Sequence, residues 1–150
     1  MAVLKLVNNP CDTEEALRNL CHYVVRMDRT MGNVGGRGVR ASAAYEDFCM
    51  AQSLWGKNHG RRAYHFVLSF DDMECLIPCE AMAIAVEVSS LFFPCYQVVF
   101  GVHTQQAHLH IHFAISSVNL ETGRKLHLDF GDMCSLQMRV HELMQQRYLT

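Results

Sequence analysis

The chain has no apolar run long enough to cross a bilayer. Its best candidate, Ala81–Val86, falls far short of the ~20 residues that a spanning helix needs. The opening MAVLKLVNNP is apolar only briefly and carries no small-residue cleavage pattern, so it reads as a strand rather than a leader. A basic excess is also missing: 13 Lys and Arg face 15 Asp and Glu, for a formal charge of −2. That balance argues against a generic nucleic-acid binder, though it leaves room for a local basic surface. Seven cysteines occur without any CxxC spacing. They are expected to be reduced and buried as small hydrophobes in a cytoplasmic chain, and a zinc site at Cys75 and Cys79 is disfavoured. HExxH, HxE…PCxxC, GxSxG and Walker spacing are all absent, which excludes the zinc-protease helix, the zinc deaminase, the nucleophile elbow and the P-loop.

What is present suits one globular domain spanning residues 1–150, half of it hydrophobic and 19% charged. AVLKLV (2–7) has strand composition. Asp12, with Glu15 three residues on, marks a helix start, and that helix is expected to run to about Met27. Leu17, Leu20, Cys21 and Val24 share one face of it, while Tyr23 stands about a third of a turn away, at a cleft edge. RTMGNVGGRGVR reads as a mobile linker in preference to a phosphate cradle. A helix over 42–55, a strand over 63–70 and an apolar helix over 79–92 follow. Strands are expected over 96–103 and 108–118, then a turn at NLETG, a returning strand RKLHLDF and a last helix over 132–147. The order β-α-α-β-α-β-β-β-α implies an α+β fold, an antiparallel sheet carrying helices.

Four of the nine histidines crowd into HTQQAHLHIHF, residues 103–113. Strand side chains alternate, so His108, His110 and His112 share one face while Leu109, Ile111, Phe113 and Ile115 form a core face. A tight reversal after His103 would bring that residue beside the same face. A solvent-facing histidine row is the plain alternative. Three imidazoles opposite a clean core face favour a divalent cation with open positions for substrate, hence a catalytic rather than a closed structural site.

These residues resemble a known family. HTQQAHLHIHFAISSVNLETGRKL is similar to the third motif of the relaxases, the mobilisation nucleases of conjugative and mobilisable plasmids. YHFVLSF (64–70) resembles their second motif, which ends in Ser69-Phe70, and YVVRMDRT (23–30) their first, with Arg29 where lysine is usual. The three motifs stand in the family's order. The resemblance implies the fold of HUH endonucleases, with an antiparallel sheet, helices on one face and the metal site on the other. It implies nicking and rejoining of one DNA strand at an origin of transfer through a tyrosine joined to the 5′ phosphate. Tyr23 matches the nucleophile, and His103, His110 and His112 match the metal positions. His108, Gln105 and Ser69 would support the site. Mn²⁺ or Mg²⁺ is the implied ion, with Zn²⁺, Ni²⁺ and Co²⁺ also suited to imidazole. The implied partners are single-stranded DNA and the accessory relaxosome and coupling proteins, and no membrane.

Arg26, Arg29, Arg37, Arg40, Arg61 and Arg62 are the expected DNA contacts, in segments 26–40 and 57–62, with Trp55, Tyr45 or Tyr64 able to stack bases. For each of these aromatics, core packing is the stronger expectation. The chain departs from the motif at Gln105, where the family has an acidic residue. The Gln105 carbonyl can still orient a ring N–H but carries no charge, and Asp71, Asp72 or Glu74 after the second-motif strand stay open as substitutes for the carboxylate. Two rival readings stay open at this point: a relaxase-like DNA-binding module that no longer cuts, and a three-histidine metallohydrolase. Tyr45 stays open as an alternative nucleophile.

Overall fold

The computed structural model describes residues 2–71, 75–104 and 108–148. Five strands form one antiparallel sheet: β1 (Val3–Leu6), β2 (Val34–Arg37), β3 (Ala63–Ser69), β4 (Tyr96–His103) and β5 (His110–Asn119), in spatial order β1-β3-β5-β4-β2. The helices are α1 (Glu14–Val24), a single turn α2 (Met27–Thr30), α3 (Ala44–Leu54), α4 (Pro78–Phe92) and α5 (Phe130–Tyr148), with a 3₁₀ turn over Ala41–Ala43. The expected α+β antiparallel architecture is therefore present. No helix among the described residues is long and apolar enough to cross a membrane.

Alternation in the three central strands gives the sheet two different faces. Tyr64, Phe66, Leu68, Val98, Phe100, Val102, Ile111, Phe113 and Ile115 point one way. They pack against Ala81, Ile84, Ala85 and Val88 of α4 and Leu136, Val140 and Leu143 of α5. The other face carries the histidines, but only along part of its length. The rest is covered by a smaller core, in which Leu17, Leu20, Cys21 and Val24 of α1 and Ala44 and Phe48 of α3 pack on Ala63, Val99 and Ala114. Helices thus lie on both faces, and those on the histidine face frame the site.

Several expected boundaries move. The first helix starts after Thr13, whose hydroxyl accepts the Ala16 N–H at 3.0 Å, rather than after Asp12. It ends at Val24, and the chain turns before α2. The glycine-rich stretch is no linker, because Val34–Arg37 is an edge strand on β4. Glycine is required there by packing: a β-carbon on Gly35 would stand 2.7 Å from the Phe100 ring. RKLHLDF does not return as a strand beyond one bridge, Val118 to Lys125. β5 is already paired on both sides, and its β3 partner runs out at the Ala63–Ser116 pair, so little open edge remains to receive another strand.

Candidate active site

Strand register sets the site. His103, the last residue of β4, pairs directly with His110 on β5, and His110 pairs with Ser69 on β3. One row along, His112 lies between Val67 and Gly101. Directly paired residues share a face, so His103, His110, His112 and Ser69 stand together as the alternation predicts. His65, diagonal to His112, joins them, its Nε2 lying 2.9 Å from His112 Nδ1. The His103 and His112 rings stack with centroids 3.9 Å apart.

Tyr23 is brought to this cluster by α1. The apolar stripe of the helix is held in the second core, which leaves the half-buried Tyr23 at its edge, over the histidines. Its ring centroid lies 5.1 Å from that of His103, 5.2 Å from His112 and 6.1 Å from His65. The helix ends just past this point. His103 Nε2 lies 3.1 Å from the Val24 carbonyl oxygen, one of the acceptors that a helix C-terminus leaves without an intrahelical donor. Tyr45 sits elsewhere on the surface, with the Arg18 guanidinium 4.7 Å from its ring centroid and donating to its hydroxyl at 3.3 Å.

The hydrogen bonds also assign ring nitrogens. A carbonyl oxygen can only accept, so His103 donates Nε2–H to Val24 and His110 donates Nδ1–H to the His108 carbonyl at 3.0 Å. When these rings are neutral, their lone pairs fall on His103 Nδ1 and His110 Nε2. Burial holds the His65 imidazolium down to about 4, with the His103 charge adding to the effect. It holds His112 down to about 3, with His103, His65, His110 and Arg29 adding to it. His103 is also lowered by burial, opposed by its bond to Val24 and reinforced by Arg29, His110 and Arg26. Neutral imidazoles with free lone pairs are the donor chemistry that a divalent ion requires. His103, His110 and His112 are imidazoles of the type that chemistry uses, but among the described residues no three His, Cys, Asp or Glu side chains converge as a metal-holding group.

The expected arginines divide. Arg29 is on α2, which is latched to the end of β4 by Thr104, whose amide donates to the Arg29 carbonyl at 2.8 Å. Its Nε is buried and has no hydrogen-bond partner among the described residues. Arg26 is exposed and paired with Asp28 at 2.7 Å. The other four are engaged away from the cluster. Arg62 is only 3% exposed and donates Nε–H to Gln52 Oε1 at 2.5 Å, which removes it from the expected DNA contacts. Arg37 donates to the Phe93 and Pro94 carbonyls beyond the end of α4, on the opposite side of the sheet. Arg40 pairs with Asp47, and Arg61 donates to the Asn9 carbonyl at 3.0 Å with its guanidinium over the Tyr64 ring. Tyr64 itself is buried and donates to the Leu126 carbonyl at 2.6 Å, so it is core rather than a stacking platform. Trp55 lies against Gly123, whose positive φ of 73° suits the NLETG turn. Gln105, Asp72 and Glu74 lie outside the described residues, and His108 contributes its backbone carbonyl to His110.

His65 is the site residue that sequence reading missed. The signal was there: in YHFVLSF, residues 65, 67 and 69 alternate onto one face with Ser69. Its use depends on the β3–β5 register, which the strand's own sequence does not contain.

A family model described as the nuclease domain of MobA/VirD2-like relaxases matches residues 23–149. Three Staphylococcus aureus proteins named Protein rlx are also similar. One is 35% identical over 125 residues, 83% of this chain and 37% of the relative. A second is 38% identical over 78 residues, 52% of this chain and 24% of the relative. The third is 29% identical over 82 residues, 55% of this chain and 24% of the relative. The matched region thus amounts to little more than a third of each relative's length at most.

Proposed function

Because the chain belongs to the MobA/VirD2-like relaxase nuclease-domain family, we propose that it nicks and rejoins one strand of DNA at a plasmid origin of transfer, with Tyr23 as the nucleophile. The observation that carries this reading is the Tyr23 ring poised over His103 and His112 at centroid distances of 5.1 and 5.2 Å. It is the sole tyrosine among the described residues with a recorded ring contact to a histidine.

The phenol oxygen of Tyr23 attacks the scissile phosphorus as the bond to the 3′ oxygen breaks. The phenolic proton is given up, and the departing oxygen takes one to become a 3′ hydroxyl. The 5′ phosphate is left esterified to Tyr23. This phosphotyrosine retains the energy of the broken bond, so the reverse attack by a 3′ hydroxyl reseals the strand without a nucleotide cofactor. His103, His110 and His112 would hold a divalent cation, Mn²⁺ or Mg²⁺, which when bound neutralises phosphate charge and orients the attack. α1 delivers Tyr23 through a rigid backbone, so its phenol is placed before substrate arrives. Arg29, half-buried with its charge acting on His103 and His112, is the cation beside the cluster for a DNA phosphate. Single-stranded DNA is the substrate, and accessory relaxosome and coupling proteins are the expected partners of the whole assembly.

The test is mass spectrometry of the protein after incubation with an origin oligonucleotide and Mn²⁺. The expected result is a covalent adduct on Tyr23 that disappears in Tyr23→Phe and persists in Tyr45→Phe. Binding of the oligonucleotide without any adduct would make the chain a non-cutting module. Absence of both binding and adduct would favour a small-molecule metallohydrolase.

A further inference from the structure

The bond between His65 Nε2 and His112 Nδ1, at 2.9 Å, joins a residue of β3 to one of the expected cation ligands on β5. At that separation the two nitrogens share one proton, since two N–H groups or two lone pairs facing each other would repel. The contact is fixed by the fold. His65 pairs with Ala114, and Val67 pairs with His112, so the two rings meet diagonally across neighbouring strands with centroids 5.2 Å apart. A ligand histidine commonly has its second nitrogen bonded to a carboxylate or carbonyl, which sets the tautomer. No Asp or Glu is recorded as a hydrogen-bond partner of His65, His103, His110 or His112 among the described residues.

We propose that His65 is a positioning residue: its Nε2 accepts the Nδ1–H of His112 and thereby fixes the His112 lone pair on Nε2. This rests on the reading of His112 as a cation ligand given above. His65 is then itself the Nδ1–H tautomer. An imidazole takes the orienting place that a carboxylate fills in many metal sites, and it adds no negative charge. His103 and His110 have their tautomers set by the backbone carbonyls of Val24 and His108. His112 has a side chain for that task, which makes it the ligand whose state a single substitution can change.

The experiment is long-range ¹H–¹⁵N NMR of the imidazole rings in the metal-free protein, together with calorimetric titration by Mn²⁺ alone. Wild-type His112 is expected to give the Nδ1–H pattern. His65→Leu is expected to lose that pattern and to weaken Mn²⁺ binding about 10- to 100-fold. His65→Gln, whose amide oxygen can take the place of Nε2 as acceptor, is expected to restore both. An Nε2–H pattern for His112 in the wild type overturns the proposal, and that spectrum decides by itself if the leucine variant does not fold. An unchanged pattern and affinity in a folded His65→Leu also overturns it. If ring state and Mn²⁺ affinity respond as expected but no tyrosine adduct forms with DNA, the role of His65 stands and the nicking reading fails.

Discussion

A β-carbon on Gly101 would stand 2.1 Å from the carbonyl oxygen of Val24. The end of α1 therefore rests directly on the backbone of β4, two residues before His103. The same Val24 oxygen accepts from His103, so the helix bearing Tyr23 and the strand bearing the proposed ligand His103 are fastened at one atom. Gly101→Ala is expected to push the last turn of α1 off the sheet, because the obstacle is backbone rather than a flexible side chain. Overpacking of this kind costs about 1–3 kcal/mol, readable by urea denaturation. Adduct formation should fall more than 10-fold in the folded fraction, since a shift of about 1 Å in a reacting group can cost 10²-fold. A folded Gly101→Ala with unchanged nicking would detach the helix end from the chemistry.

The buried Arg62 makes a different demand. Gln52, fully buried, accepts from Arg62 Nε at 2.5 Å and donates to the Arg62 carbonyl at 2.8 Å and to Ser116 Oγ at 3.0 Å. Gln52→Leu leaves the buried Arg62 Nε–H without its acceptor, while the Arg62 carbonyl keeps the Ser117 N–H at 3.0 Å. Unsatisfied groups of this kind cost about 1–3 kcal/mol each. Stability should drop by about 1–3 kcal/mol in chemical denaturation, while DNA affinity of the folded protein stays at the wild-type level. A selective loss of DNA binding with normal stability would return Arg62 to the interface.

Cys21 is buried between α1 and its neighbours, and burial, helped by Cys11, Cys49 and Glu46, pushes its thiol up to about 12. In the unfolded chain the thiol ionises near the ordinary value of 9.0. Above pH 9 the unfolded state releases a proton that the native state keeps, so stability is intact below that point and declines as pH rises toward 12. Cys21→Ala should flatten this alkaline decline. Alkylation at neutral pH should modify the exposed Cys75, Cys79 and Cys134 quickly and reach Cys21 only on unfolding. Rapid native-state labelling of Cys21 would contradict its place in the core.

Much of this site could be read before any coordinates. The period-2 alternation of HLHIHF separates histidine face from core face, and the helical spacing of Leu17, Leu20, Cys21 and Val24 leaves Tyr23 at the edge. Both are local patterns, and a chain writes local patterns directly. What was not legible depends on pairing partners. His65 meets His112 only through the β3–β5 register. Gly35 belongs to a strand because the Phe100 ring needs the space above it. Basic residues fail for the same reason, since charge alone does not distinguish Arg62, bonded to Gln52 in the interior, from Arg29 beside the histidines.

Arg29 and Arg40 give the paired comparison that tests the DNA-facing surface. Arg29 is held by α2 at the end of β4, half-buried, with its charge felt by His103 and His112. Arg40 is exposed, but it is paired with Asp47 at 2.7 Å, and that carboxylate is lowered chiefly by the Arg40 hydrogen bond. Its charge is therefore already compensated. Arg29→Ala is expected to weaken binding of a single-stranded oligonucleotide about 10- to 150-fold, in line with about 1.5–3 kcal/mol for a hydrogen bond to a charged group. It should also reduce the dependence of log K on log salt by about 0.7, the value for one phosphate contact on a single strand. Arg40→Ala should change neither quantity. Equal losses in the two variants would mean a diffuse electrostatic attraction rather than a specific phosphate contact. A loss confined to Arg40→Ala would move the DNA path across α3, away from Tyr23, and would remove the geometric basis for cleavage at this cluster.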